Sequence, residues 1–313
     1  MTLAVLSSTI LAACMSAPLP DQRLPAPAPT ASPSPAGSSR PDPSPAPPSP
    51  IDLDREFRSL EAEYGRRLGV FAVDRGSGAT VAYREGERFA YASTMKALLV
   101  AAILRDVADL DRVIPISADD LVRHSPVTEK HVGTGASIRR LCEAAMRESD
   151  NAAANLLMKE LGGPEGFRRF LVDIDDRTTR PVRWEPDLNA ATPGDERDTS
   201  TPQALTEALS SIILGGHLPE RRLDLLIDWM TGNATGDRLI RAGAPTGWVV
   251  IDKSGAGGYG TRNDLAAIFP PEGGTIFMAV MTTSDDRGAE AEDALVAEAA
   301  AVTLTALERA IAP

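Results

Sequence analysis

The sequence predicts an α+β fold: a three-layer α/β/α arrangement around a sheet of about five antiparallel strands built from both ends of the folded region, with an all-helical subdomain inserted between them. Three observations predict it. Strand patterns cluster near the beginning and end of residues 51–313. Between Ser93 and about Trp229, helical patterns follow one another with no convincing strand. Helical stripes lie outside the strand patterns at both ends, where they can face the sheet. The resulting division is an α/β part at 51–90 and 231–313 and a helical part at 91–230, with an active site expected in the cleft between them.

Ile51 to Leu68 carries apolar residues at Leu53, Phe57, Leu60 and Tyr64, the period of a helix. Val70 to Val73 and Thr80 to Tyr83 flank Asp74-Arg75-Gly76-Ser77-Gly78, whose glycines suit a hairpin turn. Helices are expected at Ser93–Arg105, Ser137–Arg147, Asn151–Leu161, Pro164–Leu171, Pro202–Leu214 and Glu220–Met230. Strand character returns at Gly247–Asp252, Asp264–Phe269 and Thr275–Thr282. An Ala-rich helix is expected from about Gly288 to Ile311.

The first fifty residues differ from the rest. Met1 to Ala13 is apolar and ends Leu11-Ala12-Ala13-Cys14, similar to the lipobox of bacterial lipoproteins, in which the cysteine becomes the lipidated N-terminus. Cys14 is then a membrane anchor; a cytosolic start with an incidental cysteine is the alternative. The positive n-region of a signal peptide is missing from this stretch, so a start upstream of Met1 is expected. Residues 15–50 are rich in Pro, Ala and Ser, a composition that buries too little surface to offset its ordering entropy. An extended linker of this kind reaches roughly 100 Å at about 3.1 Å per residue. The expectation is an exported domain tethered outside the cytoplasmic membrane, or secreted or periplasmic if not lipidated.

A net charge of -12 lacks the basic footprint that nucleic-acid binding requires. The 3 histidines show no ligand spacing and the 2 cysteines stand far apart, so neither a zinc site nor a disulfide framework is indicated. Metal- and cofactor-independent chemistry on a small molecule is expected, by a monomer.

Ser93-Thr94-Met95-Lys96 places a hydroxyl and an amine three residues apart at the head of an apolar run, on one face if the run is helical. Unpaired amides at a helix N-terminus favour a developing alkoxide and disfavour a cationic lysine. A capping serine with a snorkelling lysine is equally compatible. About one chain in four of this composition would carry such a pair by chance. Ser149-Asp150-Asn151 delivers three polar side chains at a helix start, or is an ordinary cap cluster. Lys253-Ser254-Gly255-Ala256-Gly257-Gly258 follows a hydrophobic strand, so a cation, a hydroxyl and open backbone amides would meet a carboxylate and an oxyanion; a glycine-rich turn is the alternative. Arg183 to Asp198 has neither helical nor strand period. It reads as an Ω-type loop anchored by Trp184 and Leu188, closed by Arg183 with Asp198, and carrying Glu185 and Asn189 inward; a solvated loop is the alternative.

Taken together, Ser-x-x-Lys, Ser-Asp-Asn and Lys-Ser-Gly in this order resemble the signature of class A serine β-lactamases and penicillin-binding proteins. The resemblance spans about residues 51 to 313. It includes Ser125 to Lys130, Arg183 to Asp198, Thr231 to Asp237 and Gly260 to Asp264. It implies that Ser93 is the nucleophile, with the amides of Ser93 and Ala256 as oxyanion hole. Lys96 and Glu185, the latter through a water shared with Asn189, are the candidate acylation bases, and Glu185 serves deacylation. Ser149, assisted by Lys253, protonates the leaving nitrogen. Asn151 holds the substrate's side-chain amide, and Lys253, Ser254 and Arg262 its ring carboxylate. The resemblance further implies a cis peptide between Glu185 and Pro186.

Departures exist. His124 stands where many relatives have an aromatic gate residue. Cys142 matches one half of a disulfide of some relatives, but the partner position is Val100, which leaves a buried free thiol. Ala92 is not the cysteine of carbapenem-hydrolysing relatives. Two other functions share the three motifs: a penicillin-binding DD-peptidase or esterase, and a non-catalytic β-lactam- or cell-wall-binding lipoprotein. Glu185 and Asn189 argue against the first, and the full complement of competent residues against the second.

Overall fold

A computed structural model describes residues 49–311. The expectations for the segment ending at Cys14, and for nearly all of the 15–50 linker, lie outside them.

The helical stripe near the start becomes α1 (Asp54–Tyr64), stopped by Gly65 in the left-handed conformation at φ 60°. Leu68, expected in that helix, instead belongs to β1 (Arg67–Asp74), which turns into β2 (Thr80–Tyr83). The central pieces are β3 (Phe89–Ala90), α2 (Met95–Asp106), β4 (Val113–Ile114), β5 (Ala136–Ser137), α3 (Ile138–Arg147), α4 (Asn151–Glu160), α5 (Pro164–Asp173), β6 (Thr199–Ser200), α6 (Pro202–Leu214), α7 (Glu220–Thr231) and the short α8 (Ile240–Gly243). The chain closes with β7 (Val249–Ala256), β8 (Arg262–Phe269), β9 (Ile276–Thr283) and α9 (Asp293–Ile311).

Five strands form one antiparallel sheet in the order β2-β1-β9-β8-β7, built from both ends of the folded region as the sequence pattern implies. Alternation along each strand sends side chains to two cores. Leu68, Val70 and Ala72 of β1 and Ile276, Met278 and Val280 of β9 face α1, α8 and α9. Their neighbours Phe71, Val73, Phe277, Ala279 and Met281 face the helical half, where α2 is buried from Met95 to Leu104. A helix apolar all round belongs at a centre, and α2 runs through the middle of the helical half. Helix α6, drawn from the middle of the chain, lies against β1 and β9 and joins that half to the sheet.

Three details correct the sequence reading. Two-residue ladders, β3 with β6 and β4 with β5, interrupt the helical region; such short pairings carry no periodicity and depend on contacts distant in sequence. Helix α9 begins at Asp293, because the stretch from about 284 to 289 folds into turns in which Asp286 Oδ1 accepts from the Gly288 amide. Strand β7 runs on through Lys253, Ser254 and Gly255 to Ala256, so these residues belong to the strand itself. Cys142 is a buried free thiol, its pKa pushed up by burial.

Candidate active site

A cleft of about 720 Å³ opens between the edge strand β7 and the helical half. Its wall includes Ser93, Ser149, Asn151, Asn189, Ser254, Ala256 and Arg262, seven of the residues singled out in the sequence.

Ser93 sits in a 3₁₀ turn, Ala92–Thr94, that leads directly into α2, so the helix proper begins two residues later than the motif suggests. In that first turn the Ser93 amide has no intrahelical acceptor. Ala92 holds a left-handed φ of 46°, an unfavourable conformation for alanine retained beside Ser93. Gly255 of β7 lies against this turn: a Cβ there would come within 3.0 Å of the Ser93 nitrogen and 3.1 Å of the Tyr91 oxygen. Glycine is what lets strand and turn meet.

The phase of the β7 ladder follows from one bond. Gly257 N donates to Thr261 O at 3.1 Å, and successive residues of an antiparallel strand point their amides to opposite sides. Ala256 therefore directs its N–H away from β8. Because β7 is the sheet edge, that side is the cleft. The amides of Ser93 and Ala256 thus flank one opening.

Lys96 is wholly buried. Its Nζ donates to the Ser149 carbonyl at 2.7 Å and to Asn151 Oδ1 at 2.6 Å, and lies 3.4 Å from Ser149 Oγ. Glu185 Oε1 is at 3.0 Å, an ion-pair distance without hydrogen-bond alignment. No hydrogen bond joins Lys96 to Ser93: the amine that the spacing would aim at Ser93 is instead held by Ser149 and Asn151 of the α4 start and faces Glu185 of the loop. Burial lowers the Lys96 pKa, and the Glu185 carboxylate partly offsets it. Lys253 is equally buried and donates to Ser149 Oγ at 3.2 Å. Burial first, and the Lys96 charge second, push its pKa down to about 7. Ser149 Oγ thus stands between two amines, on a residue held at a left-handed φ of 54°.

Both readings of Ser149-Asp150-Asn151 hold, divided by residue. Asp150 caps α4 through the Ala153 amide at 2.9 Å and also accepts from Val127, Thr128 and the Thr128 hydroxyl, while Ser149 and Asn151 face the cleft. Asn151 Nδ2 donates to Arg123 O at 2.9 Å, which leaves one of its two N–H groups uncommitted.

The segment from Arg183 to Asp198 is an ordered loop with its neck closed by the Arg183–Asp198 ion pair. Asp198, fully buried, also accepts from the Tyr91 hydroxyl and from the Val182 and Arg183 amides. The Glu185–Pro186 peptide is cis, as the resemblance implies. Leu188 is buried, but Trp184 remains 40 % exposed and is a partial anchor only. Glu185 Oε2 accepts from Asn189 Nδ2.

Sequence reasoning missed two contributors. Asn155, one helical turn after Asn151 on α4, accepts from Glu185 N at 2.9 Å and donates to Glu185 O at 2.8 Å, a two-bond clamp on the loop. The i, i+4 spacing of Asn151 and Asn155 was the available signal. Thr235 lines the cleft and bonds Ser254 Oγ at 2.6 Å; nothing in its local pattern distinguishes it from a turn threonine. Arg262 reaches the cleft with its Nε bound to Asp293 at 2.6 Å and one terminal nitrogen on Thr235 O at 3.3 Å.

A family model described as "Beta-lactamase enzyme family" matches residues 52–306. A β-lactamase of Bacillus amyloliquefaciens is 51% identical over 257 residues, covering 82% of this chain and 84% of the relative. One of Amycolatopsis lactamdurans is also 51% identical, over 82% and 85% of the two chains. Among solved structures, a class A β-lactamase of Clostridium kluyveri superposes with a TM-score of 0.80 at 43% identity, covering 81% of this chain and 98% of that one. A halotolerant bacterial β-lactamase gives 0.80 at 44% identity with the same coverage. The fold, the cleft and these likenesses agree: the chain belongs to the β-lactamase enzyme family, among its class A members.

Proposed function

We propose that the protein hydrolyses the β-lactam amide bond of penicillin- and cephalosporin-type antibiotics through an acyl-enzyme on Ser93, and so confers resistance to them. One observation carries the reading. Among the described residues, Asn189 Oδ1 is a buried acceptor with no hydrogen-bond donor, and the neighbouring Glu185 Oε1 has only the Lys96 amine at 3.0 Å, without hydrogen-bond alignment. A water molecule brings two donors, so these oxygens suit the hydrolytic water of deacylation. A peptidase that turns over slowly has no need of such a pair.

In acylation, Ser93 Oγ attacks the lactam carbonyl and its proton passes to the Lys96–Glu185 pair, directly to the amine or through water to the carboxylate. The oxyanion accepts from the Ser93 and Ala256 amides, which require no reorganisation as charge develops. Collapse breaks the C–N bond, and the nitrogen takes a proton from Ser149 Oγ, resupplied by Lys96 or Lys253. In deacylation, Glu185 takes a proton from the water as it attacks the ester carbonyl, and Ser93 leaves with a proton returned to its oxygen. The free N–H of Asn151 holds the acyl side-chain carbonyl. Lys253, Ser254 and Arg262 hold the ring carboxylate.

Hydrolysis of a chromogenic cephalosporin by the purified protein, with Ser93→Ala as control, tests this reading. Turnover that disappears with Ser93 is expected; turnover that survives the substitution, or none in either protein, contradicts it. The enzyme acts as a monomer, and Cys14 tethers it outside the cytoplasmic membrane, a reading supported by the Leu11-Ala12-Ala13-Cys14 sequence and the linker composition after it.

A further inference from the structure

Four polar residues run from the buried base of the sheet to the cleft. Asp252, buried in β7 and paired with Arg241, accepts from Asn233 Nδ2. That bond fixes the Asn233 amide, so Asn233 Oδ1 is an acceptor toward the cleft. It receives Thr235 N at 3.1 Å and Thr235 Oγ1 at 2.7 Å. Thr235 Oγ1 in turn lies 2.6 Å from Ser254 Oγ, and both residues line the cleft.

Each hydroxyl has a single proton, and counting them gives two arrangements. With the cleft unliganded, Thr235 donates to Asn233, so Ser254 must donate to Thr235 to satisfy the 2.6 Å contact. A bound carboxylate demands the Ser254 proton for itself. Thr235 can then swing its own proton onto Ser254 Oγ without stranding Asn233 Oδ1, because the Thr235 amide still serves that oxygen. The bound arrangement is a chain of donors running from Thr235 to Ser254 to carboxylate, in which each bond polarises the next.

We propose that Thr235 is a positioning residue for recognition of the substrate's ring carboxylate: a two-way hydroxyl relay that accepts the Ser254 proton in the free enzyme and donates to Ser254 when the carboxylate binds. This rests on the reading that Ser254 meets that carboxylate. The backbone carbonyl of the same residue holds Arg262 at 3.3 Å, so Thr235 touches two of the three carboxylate-holding groups, one through a side chain that can be altered independently.

The test compares the unaltered enzyme, Thr235→Val, Thr235→Ser and Ser254→Ala on a chromogenic cephalosporin and on its carboxyl methyl ester. Valine keeps the shape and removes both proton roles; serine keeps both roles. Thr235→Val is expected to raise KM for the free acid roughly three- to tenfold with kcat little changed, the scale of one hydrogen bond between neutral groups. The ester should show no such difference, and Thr235→Ser should behave as the unaltered enzyme. A Thr235→Val enzyme whose KM for the acid is unchanged while Ser254→Ala raises it overturns the relay. So does an equal loss on acid and ester, which indicates a structural role. If Ser254→Ala itself does not distinguish acid from ester, the underlying carboxylate reading fails and the relay with it. Ser93-dependent turnover in the same assay reports separately on the proposed chemistry.

Discussion

At the scale of single residues, two buried lysines flank one hydroxyl, and their proton states govern what that hydroxyl can do. Lys253 has its pKa pushed down to about 7 by burial and by the charge of Lys96. Its cationic form in the free enzyme is therefore lost as pH rises through about 7. If that cation helps to hold the substrate carboxylate, kcat/KM should fall on the same limb. kcat should hold to higher pH, because a bound carboxylate favours the charged amine. Initial rates across pH 5 to 10, treated as separate kcat and kcat/KM profiles, check this; superimposable alkaline limbs would contradict it. The same shift has a stability consequence. Between about pH 7 and the unfolded lysine value of about 10.4 the unfolded chain binds the extra proton, so this residue makes stability rise with pH over that window. Lys253→Met should flatten that rise in urea titrations relative to the unaltered protein. Ser93, Lys96, Ser149, Glu185 and Lys253 were singled out in the sequence through the resemblance that their ordered motifs carry, since each motif alone has an ordinary structural alternative. The contacts of Lys96 were not legible there, since Ser149 and Asn151 lie more than fifty residues away and only the fold brings them near.

At the scale of elements, the loop from Arg183 to Asp198 is held at three points: the Arg183–Asp198 pair at the neck, the Asn155 clamp on Glu185, and the Gly258 amide on Asn189 O at 2.8 Å. The closed neck follows from two opposite charges at the ends of an irregular stretch. The clamp lay outside the reading because an asparagine within a helix is most simply a solvent-facing residue, and here its partner is backbone. Asn155→Leu removes both bonds and leaves the Glu185 amide and carbonyl to find other partners. It should lower kcat about tenfold or more through slower deacylation while a burst of acylation persists, since loss of positioning costs the step that depends on Glu185. Pre-steady-state kinetics distinguish this from a general loss, which would remove the burst as well. Asp198→Ala leaves the Tyr91 hydroxyl and the Val182 and Arg183 amides without their acceptor, and leaves the partly exposed Arg183 guanidinium only Asp195, at 3.6 Å, as a carboxylate partner. A cost of about 3 to 5 kcal/mol in unfolding free energy is expected, the sum of several donors left unpaired. A cost below about 1 kcal/mol would show that the pair behaves as an exposed one.

At the scale of the whole molecule, the order of strands explains why the site lies where it does. The sheet takes β1 and β2 from one end of the folded region and β7, β8 and β9 from the other, which puts Lys253 and Ser254 on an edge strand facing the inserted helices. That architecture was readable from where strand patterns occur. The two-residue ladders and the role of α6 as a joint between sheet and helices were not, because neither leaves a periodic trace. Outside the described residues, the lipobox-like sequence ending at Cys14 makes its own prediction: Cys14→Ala should move the protein from the membrane to the soluble fraction of the producing cell. Equal membrane retention of the altered protein would contradict lipidation.

In the proposed mechanism Glu185 separates rapid hydrolysis from a stalled acyl-enzyme. The direct measurement is mass spectrometry of Glu185→Ala after mixing with a penicillin. A persistent covalent adduct of one penicillin on the peptide bearing Ser93 is expected, with steady-state turnover reduced by a factor on the order of 10² or more. Turnover equal to that of the unaltered enzyme, with no accumulated adduct, would contradict that mechanism.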